Sequence, residues 1–198
     1  MGLDFASSIP EDNAMSDSRS RLARAAWRTL TTREIYVNPW IRVREDIAAL
    51  PDGRTTLYGV IEVPPAVGVL PFLDDRTVVL VGQYRYVARG FYWEMPTGGM
   101  KPGETEEAAA QRELSEEAGY EAARLVKLCS FYSSKSVLDE VVHLYLAEGL
   151  RPATRAGDDT EFIEIRTFAL DEVVRMVERS EIVDAMTVIA VLHAVRRR

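Results

Sequence analysis

The segment from Pro96 to Gly119 constrains this chain more than any other. A Gly/Pro-rich stretch, Pro96 to Gly103, runs into Thr105–Ala118, which reads as a helix closed by Gly119. Thr105 suits an N-cap, Glu106 and Glu107 suit the positive end of the helix dipole, and Gly119 suits the position just past the helix. At about 100° per residue, Glu113, Glu116 and Glu117 fall on one arc, with Glu106 a further member toward one end. Ala110, Leu114 and Ala118 form the neighbouring apolar stripe that would seat the helix on a sheet, and Arg112 is spaced to pair with Glu116. Most glutamate clusters are solvated helix faces. Carboxylates crowded on one arc repel, however, and hard oxygen groups gathered there suit Mg²⁺ or Mn²⁺ rather than Zn²⁺.

The rest of the chain reads as strands and helices that such a helix could pack on. Ile35–Val37 and Trp40–Ala48 hold β-branched and aromatic residues, Pro51-Asp52-Gly53 supplies a turn, and Thr55–Glu62 returns. Ala66–Leu73 and Thr77–Tyr84 are almost wholly apolar, as strands covered on both faces would be. Further strands are expected at Ala123–Tyr132, Glu140–Glu148 and Glu161–Thr167, and closing helices at Leu170–Glu178 and Ile182–Arg196. The class is α+β, a mixed or mainly antiparallel sheet with helices packed outside. With 198 residues, 47% of them hydrophobic, the chain is neither disordered nor fibrous.

A net charge of −7 argues against bulk nucleic-acid or anionic-membrane binding. One Cys excludes an internal disulfide and suits a cytoplasmic protein. Met1–Ser20 lacks the basic start and apolar run of a signal peptide. Residues 1–21 are expected to be disordered, with Met15 a candidate start; 22–63 form an N-terminal β-sheet region, and 64–198 the catalytic domain.

Gly98, Glu104, Arg112, Glu113, Glu116, Glu117 and Gly119 stand at the offsets G-x5-E-x7-R-E-U-x-E-E-x-G-U, with Leu114 as the first apolar U. With each type at roughly 6% of residues, seven such matches arise by chance about once in 10⁸ to 10⁹ starts. The pattern resembles the Nudix box of the Nudix hydrolases, departing only at Tyr120, where an aliphatic residue is usual. The resemblance implies a loop–helix–loop module in an α/β/α sandwich, a mixed sheet with flanking helices, plus a small N-terminal antiparallel sheet. It also implies an enzyme that cleaves a nucleoside diphosphate linked to another moiety. By the same resemblance Glu113, Glu116 and Glu117, with the Thr97 carbonyl, are the expected metal ligands. Glu113 and Glu117 are also expected to be catalytic, Arg112 orients a glutamate, Glu104 stands behind them, and Gly98 lets backbone approach metal and phosphate.

The flanks are similar to the ADP-ribose pyrophosphatase branch. The likeness rests on Val81-Gly-Gln-Tyr-Arg85-Tyr, on Trp93-Glu94-Met95-Pro96-Thr97-Gly98, and on the ending Glu181-Ile-Val-Asp-Ala-Met-Thr-Val-Ile-Ala190. This implies that Arg85 contacts diphosphate or ribose and that Glu94 binds sugar hydroxyls or helps bind metal. It implies a base stacked on Tyr36 or Trp40, and a general base in Gly157–Glu161, with Glu161 preferred to Asp159. A homodimer is expected, its N-terminal sheets exchanged to form composite sites. The branch often carries a proline about fifteen residues past the box; here Ser133–Glu140 has none, which keeps other nucleotide sugars such as GDP-mannose in play. Lys135 in that loop could meet a phosphate or a sugar.

The expected activity is therefore a Mg²⁺-dependent (Mn²⁺ possible) pyrophosphatase. Its substrate would be ADP-ribose or a related nucleoside diphosphate sugar, a small molecule, with no nucleic acid or membrane partner. The rival is a non-catalytic nucleotide-sugar sensor on the same fold. His143, His193, Cys129 and the terminal arginines read as structural, and Trp93 as core.

Overall fold

A computed structural model describes residues 20–153 and 162–197. The expected disorder of residues 1–21 thus falls almost wholly outside the described residues, as does Glu161. The chain divides into two compact units at Ile61/Glu62.

The N-terminal unit is built on β1 (Arg28–Val37), β2 (Arg42–Ala49) and β3 (Thr55–Glu62), in that order in the sheet. β1 pairs antiparallel with β2 from Arg28↔Ala49 to Val37↔Arg42, with bulges at Thr29/Thr31 and Glu34/Tyr36. The Asn38 side chain makes the connecting turn, accepting from the amides of Trp40 at 2.9 Å and Ile41 at 2.8 Å. At the next turn Gly53 takes a φ of 87°, which a residue with a Cβ rarely adopts. β1 begins well before Ile35, where the sequence shows mostly polar residues, because every position along it is exposed and none needs to be apolar.

The second unit carries β4 (Ala66–Pro71), β5 (Thr77–Arg85), β6 (Gly90–Glu94), β7 (Thr97–Gly99), β8 (Tyr120–Tyr132), β9 (Leu138–Asp139), β10 (Val141–Pro152) and β11 (Glu164–Ala169). Its helices are α1 (Glu106–Ala118), α2 (Leu170–Glu178) and α3 (Ala185–Arg197). One sheet has the order β7-β4-β10-β8 and a second has β11-β5-β6. β4 runs parallel to β10, with Val142 opposite Ala66, and every residue of β4 is buried. Alternation splits these strands between two cores. Val69, Val79, Val81, Tyr145 and Ala147 pack with Ala110, Leu114 and Ala118 of α1. Leu70, Val78, Leu80, Leu144 and Leu146 pack with Val173 and Met176 of α2 and with Ala190, Val191 and Ala194 of α3. This is the mixed sheet with flanking helices that the box implies.

The three-residue strand β7 lies inside the Gly/Pro-rich stretch and is not separable there from loop. Helix α3 begins at Ala185 rather than Ile182. Ser180 takes a φ of 58°, and the amides of Glu181 and Ile182 turn back to the Met176 carbonyl at 2.8 and 3.2 Å. Asp184 then starts the new helix, accepting from the Thr187 amide at 2.8 Å. Cys129 is half-buried on β8, packed against the α3 side of the sheet, and burial pushes its thiol pKa up. Trp93 is partly buried, edge-on to Phe91 and Phe168. No helix of the described residues is long and apolar enough to cross a membrane.

Candidate active site

Helix α1 is fixed at both ends by the residues the sequence marks. The Thr105 side chain accepts from the Ala108 amide, and Gly119 closes the helix with a φ of 71°. Its apolar stripe is held in the core, so the adjoining arc of glutamates is pressed against β7 and the Gly/Pro loop.

Arg112 organises that arc. Its side chain is 7% exposed. Nε and Nη2 donate to the two oxygens of Glu104, each at 2.9 Å. Nη1 reaches Glu113 Oε1 at 2.5 Å and Glu116 Oε2 at 3.0 Å, and Nη2 also donates to the Gly99 carbonyl at 2.9 Å. The expected pairing with Glu116 is thus one part of a larger cluster. The Arg112 guanidinium holds the Glu104 carboxyl down at about 2, helped by the Lys101 amide. Those carboxylates in turn, Glu104 first, push the Arg112 pKa further up.

Glu117 is buried and accepts from the Thr97 amide at 2.9 Å. Gly98 lies against Glu113 so closely that a Cβ there would overlap the Glu113 carboxylate. Glycine at this position is therefore a matter of space. Glu106 stands apart from the arc despite its angle on the helix. Two turns away, it is drawn to Lys127, to the Tyr145 hydroxyl at 2.7 Å and to His143 at 3.4 Å.

Beside the helix, strand alternation puts Gln83, Arg85 and Glu94 on one face of the β5–β6 pair. Arg85 Nε donates to Glu94 Oε2 at 3.2 Å, while Nη2 lies 2.5 Å from Oε1 but off the hydrogen-bond direction. Burial pushes the Glu94 pKa up; Arg85 works against that shift and Asp184 adds to it. A cavity of about 520 Å³ opens here, lined among others by Arg85, Glu94, Thr97, Gly98, Glu140 and Asp184. Apolar walls come from Val63, Pro64 and Met186.

A divalent cation fits this donor set by its chemistry. Glu104, Glu113 and Glu116 crowd one guanidinium, Glu117 lies a turn on, and all offer hard oxygens. Among the described residues no three acidic, His or Cys side chains are gathered at ligating distance, because Arg112 and the Thr97 amide hold these carboxylates in other directions.

The structure therefore brings Thr97, Gly98, Glu104, Arg112, Glu113, Glu116 and Glu117 together, with Arg85 and Glu94 paired on the cavity wall. It places Tyr36 on β1 and Trp40 in the following turn, 54% and 74% exposed. Three residues with no role assigned from sequence also belong here. Glu140 and Asp184 line the cavity, and Thr187 is wholly buried behind it. The one available signal was the run Glu181–Ala190, similar to the branch but silent on which side chain did what.

A carboxylate-rich helix gathered by one arginine, beside a cavity that holds an Arg–Glu pair, suits an enzyme of phosphate chemistry. Residues 62–186 match the NUDIX domain, and residues 27–61 match the nucleoside diphosphate sugar hydrolase N-terminal domain. The chain belongs to the NUDIX family, whose members generally require a divalent metal. It is 34% identical over 168 residues to the ADP-ribose pyrophosphatase of Bacillus subtilis, covering 84% of this chain and 91% of that one. The methanol dehydrogenase activator of Bacillus methanolicus is as similar, 34% over 168 residues with the same coverage. A crystal structure of an ADP compounds hydrolase superposes with a TM-score of 0.77 at 23% identity, over 87% of this chain and 94% of that one, and so shares the fold.

Proposed function

We propose that this protein hydrolyses the diphosphate of a nucleoside diphosphate sugar, ADP-ribose first among them, to a nucleoside monophosphate and a sugar phosphate. The observation that carries the reading is the carboxylate arc of α1, gathered by Arg112 and lying against Gly98, which itself lines the cavity that holds the Arg85–Glu94 pair. The two domain matches and the activity for which the Bacillus subtilis relative is named point the same way.

In this reading Glu113, Glu116 and Glu117, with the Thr97 carbonyl, would hold Mg²⁺ (Mn²⁺ in its place), which when bound would supply charge to neutralise the diphosphate and to acidify a water. Arg112 gathers Glu104, Glu113 and Glu116 on one side of the helix and partly neutralises them. Gly98 leaves room for Glu113 and for a phosphate oxygen. Arg85 is the cation for the diphosphate, and Glu94 holds it in place or accepts from sugar hydroxyls. Glu161 is the proposed general base. Tyr36 or Trp40 is the proposed platform for the base, and the protein a cytoplasmic homodimer.

The test is a panel of nucleoside diphosphate derivatives with Mg²⁺, products separated by ion-pair chromatography. ADP-ribose cleaved fastest, to AMP and ribose 5-phosphate, is expected. GDP-mannose winning would assign sugar choice to the Ser133–Glu140 loop, and silence across the panel would favour a sensor. Glu117→Gln removes a ligand charge at nearly constant volume and is expected to lower Mg²⁺-dependent turnover by about 100-fold or more. Full activity in that variant would overturn the site.

A further inference from the structure

Met95 sits between the two halves of the site. Glu94, just before it, pairs with Arg85; Thr97, two residues on, gives its amide to Glu117. Met95 is fully buried, and its side chain lies so close to Gly68 that a Cβ there would overlap it. Pro96 is tied to β4 by its carbonyl, which accepts from the Val69 amide at 2.9 Å.

The Met95 amide is satisfied from far away in the chain. It donates to Thr187 Oγ1 at 3.0 Å, across 92 residues of sequence. The Thr187 hydroxyl donates in turn to Asp184 Oδ2 at 2.6 Å, and the same oxygen takes the Thr187 amide at 2.8 Å. Val188 makes the first helical bond, to the Asp184 carbonyl at 3.0 Å. One carboxylate thus starts α3 and orients a hydroxyl that must both give and take a hydrogen bond. Among side chains of this size only Thr and Ser can do both. Asp184 also lines the cavity with Arg85 and Glu94.

We propose that Thr187 is a positioning residue: its hydroxyl, oriented by Asp184, fixes the Met95 amide and with it the Glu94–Thr97 segment, so the start of α3 sets how tightly the nucleotide sugar is held. The link rests on the activity proposed above for its kinetic readout. A buried amide left without an acceptor costs enough to let the segment shift. Glu104, Glu113 and Glu116 are held separately by Arg112, whereas Glu117 takes the Thr97 amide of the same segment, so a shift there reaches both binding and turnover.

The test compares wild type, Thr187→Val and Thr187→Ser in Mg²⁺ with ADP-ribose, alongside hydrogen exchange of peptides covering residues 91–99. Thr187→Val is expected to raise KM about tenfold and to lower kcat as well, since the displaced segment holds Glu117 through Thr97. It should also speed exchange at 91–99 while leaving the α1 peptides unchanged. Thr187→Ser should restore both readouts. An unchanged KM, a KM change without faster exchange at 91–99, or a defect that Ser does not restore would each overturn the proposal.

Should Thr187→Val not fold, Asp184→Asn takes its place. It keeps an acceptor for the helix start but withdraws the charge that orients the hydroxyl, and faster exchange at 91–99 is again required. If the wild type cleaves no nucleotide sugar, the proposed activity fails, and the exchange comparison alone decides the positioning link.

Discussion

Gly98 and Glu113 compete for one volume, which makes Gly98→Ala the most direct probe of the site's spacing. The added methyl must push the Glu113 carboxylate aside or lift β7. A displacement on the ångström scale in a catalytic array costs about 100-fold in rate, so kcat/KM for ADP-ribose should fall by that order while circular dichroism stays unchanged. Glu104 offers a prediction in pH. Its folded-state pKa of about 2 lies below its ordinary 4.5, so its contribution to stability is complete above pH 4.5 and is lost as pH falls toward 2. Thermal unfolding of Glu104→Gln should accordingly lack that part of the acid-side decline in Tm. These residues were legible because the motif is local: a loop and one helix hold them at fixed offsets. Asp184, Thr187 and Glu140 were not, because what places them is contact across the fold, which leaves no periodic mark in the chain.

At the scale of elements, α1 depends on its two ends. Thr105→Ala removes the hydroxyl that takes the Ala108 amide and is expected to cost about 1 kcal/mol. Gly119→Ala forces a Cβ into a left-handed φ of 71° and costs about 1 kcal/mol or slightly more. Urea unfolding of both variants would check the two figures. Cap, stripe and closing glycine all stand in the sequence, so the bounds of this helix could be read directly. The start of α3 could not: Ile182 and Val183 extend its apolar pattern backwards, and only the Asp184 side-chain bonds to Thr187 show where the helix begins. β7 escaped for a different reason. Two of its three residues are glycines, which strands disfavour, and its pairing with β4 comes from the partner strand.

For the whole molecule, the apolar runs of β4 and β5 announced strands covered on both sides, and α1, α2 and α3 supply the covers. The parallel pairing of β4 with β10 was not legible, since hydrophobic runs reveal burial but not neighbours. The N-terminal sheet bears on the proposed dimer. β1 is exposed along its whole length, including Leu30, Ile35, Tyr36 and Val37, an apolar surface of the kind that association covers. Light scattering on the eluting protein is expected to give twice the 22.2 kDa chain mass, and a monomer would remove the composite-site reading.

Cys129 gives the chain a reporter of its own motions. It is the sole thiol of the sequence, half-buried on β8. The last turn of α3 reaches the same strand, where Arg197 donates to the Lys127 carbonyl at 3.2 Å. Fraying of that helix end would expose the thiol further and speed its reaction with a reagent in excess. The labelling rate, followed with and without nucleotide sugar, would therefore act as a clock for the breathing of the C-terminal helix, with no foreign probe introduced.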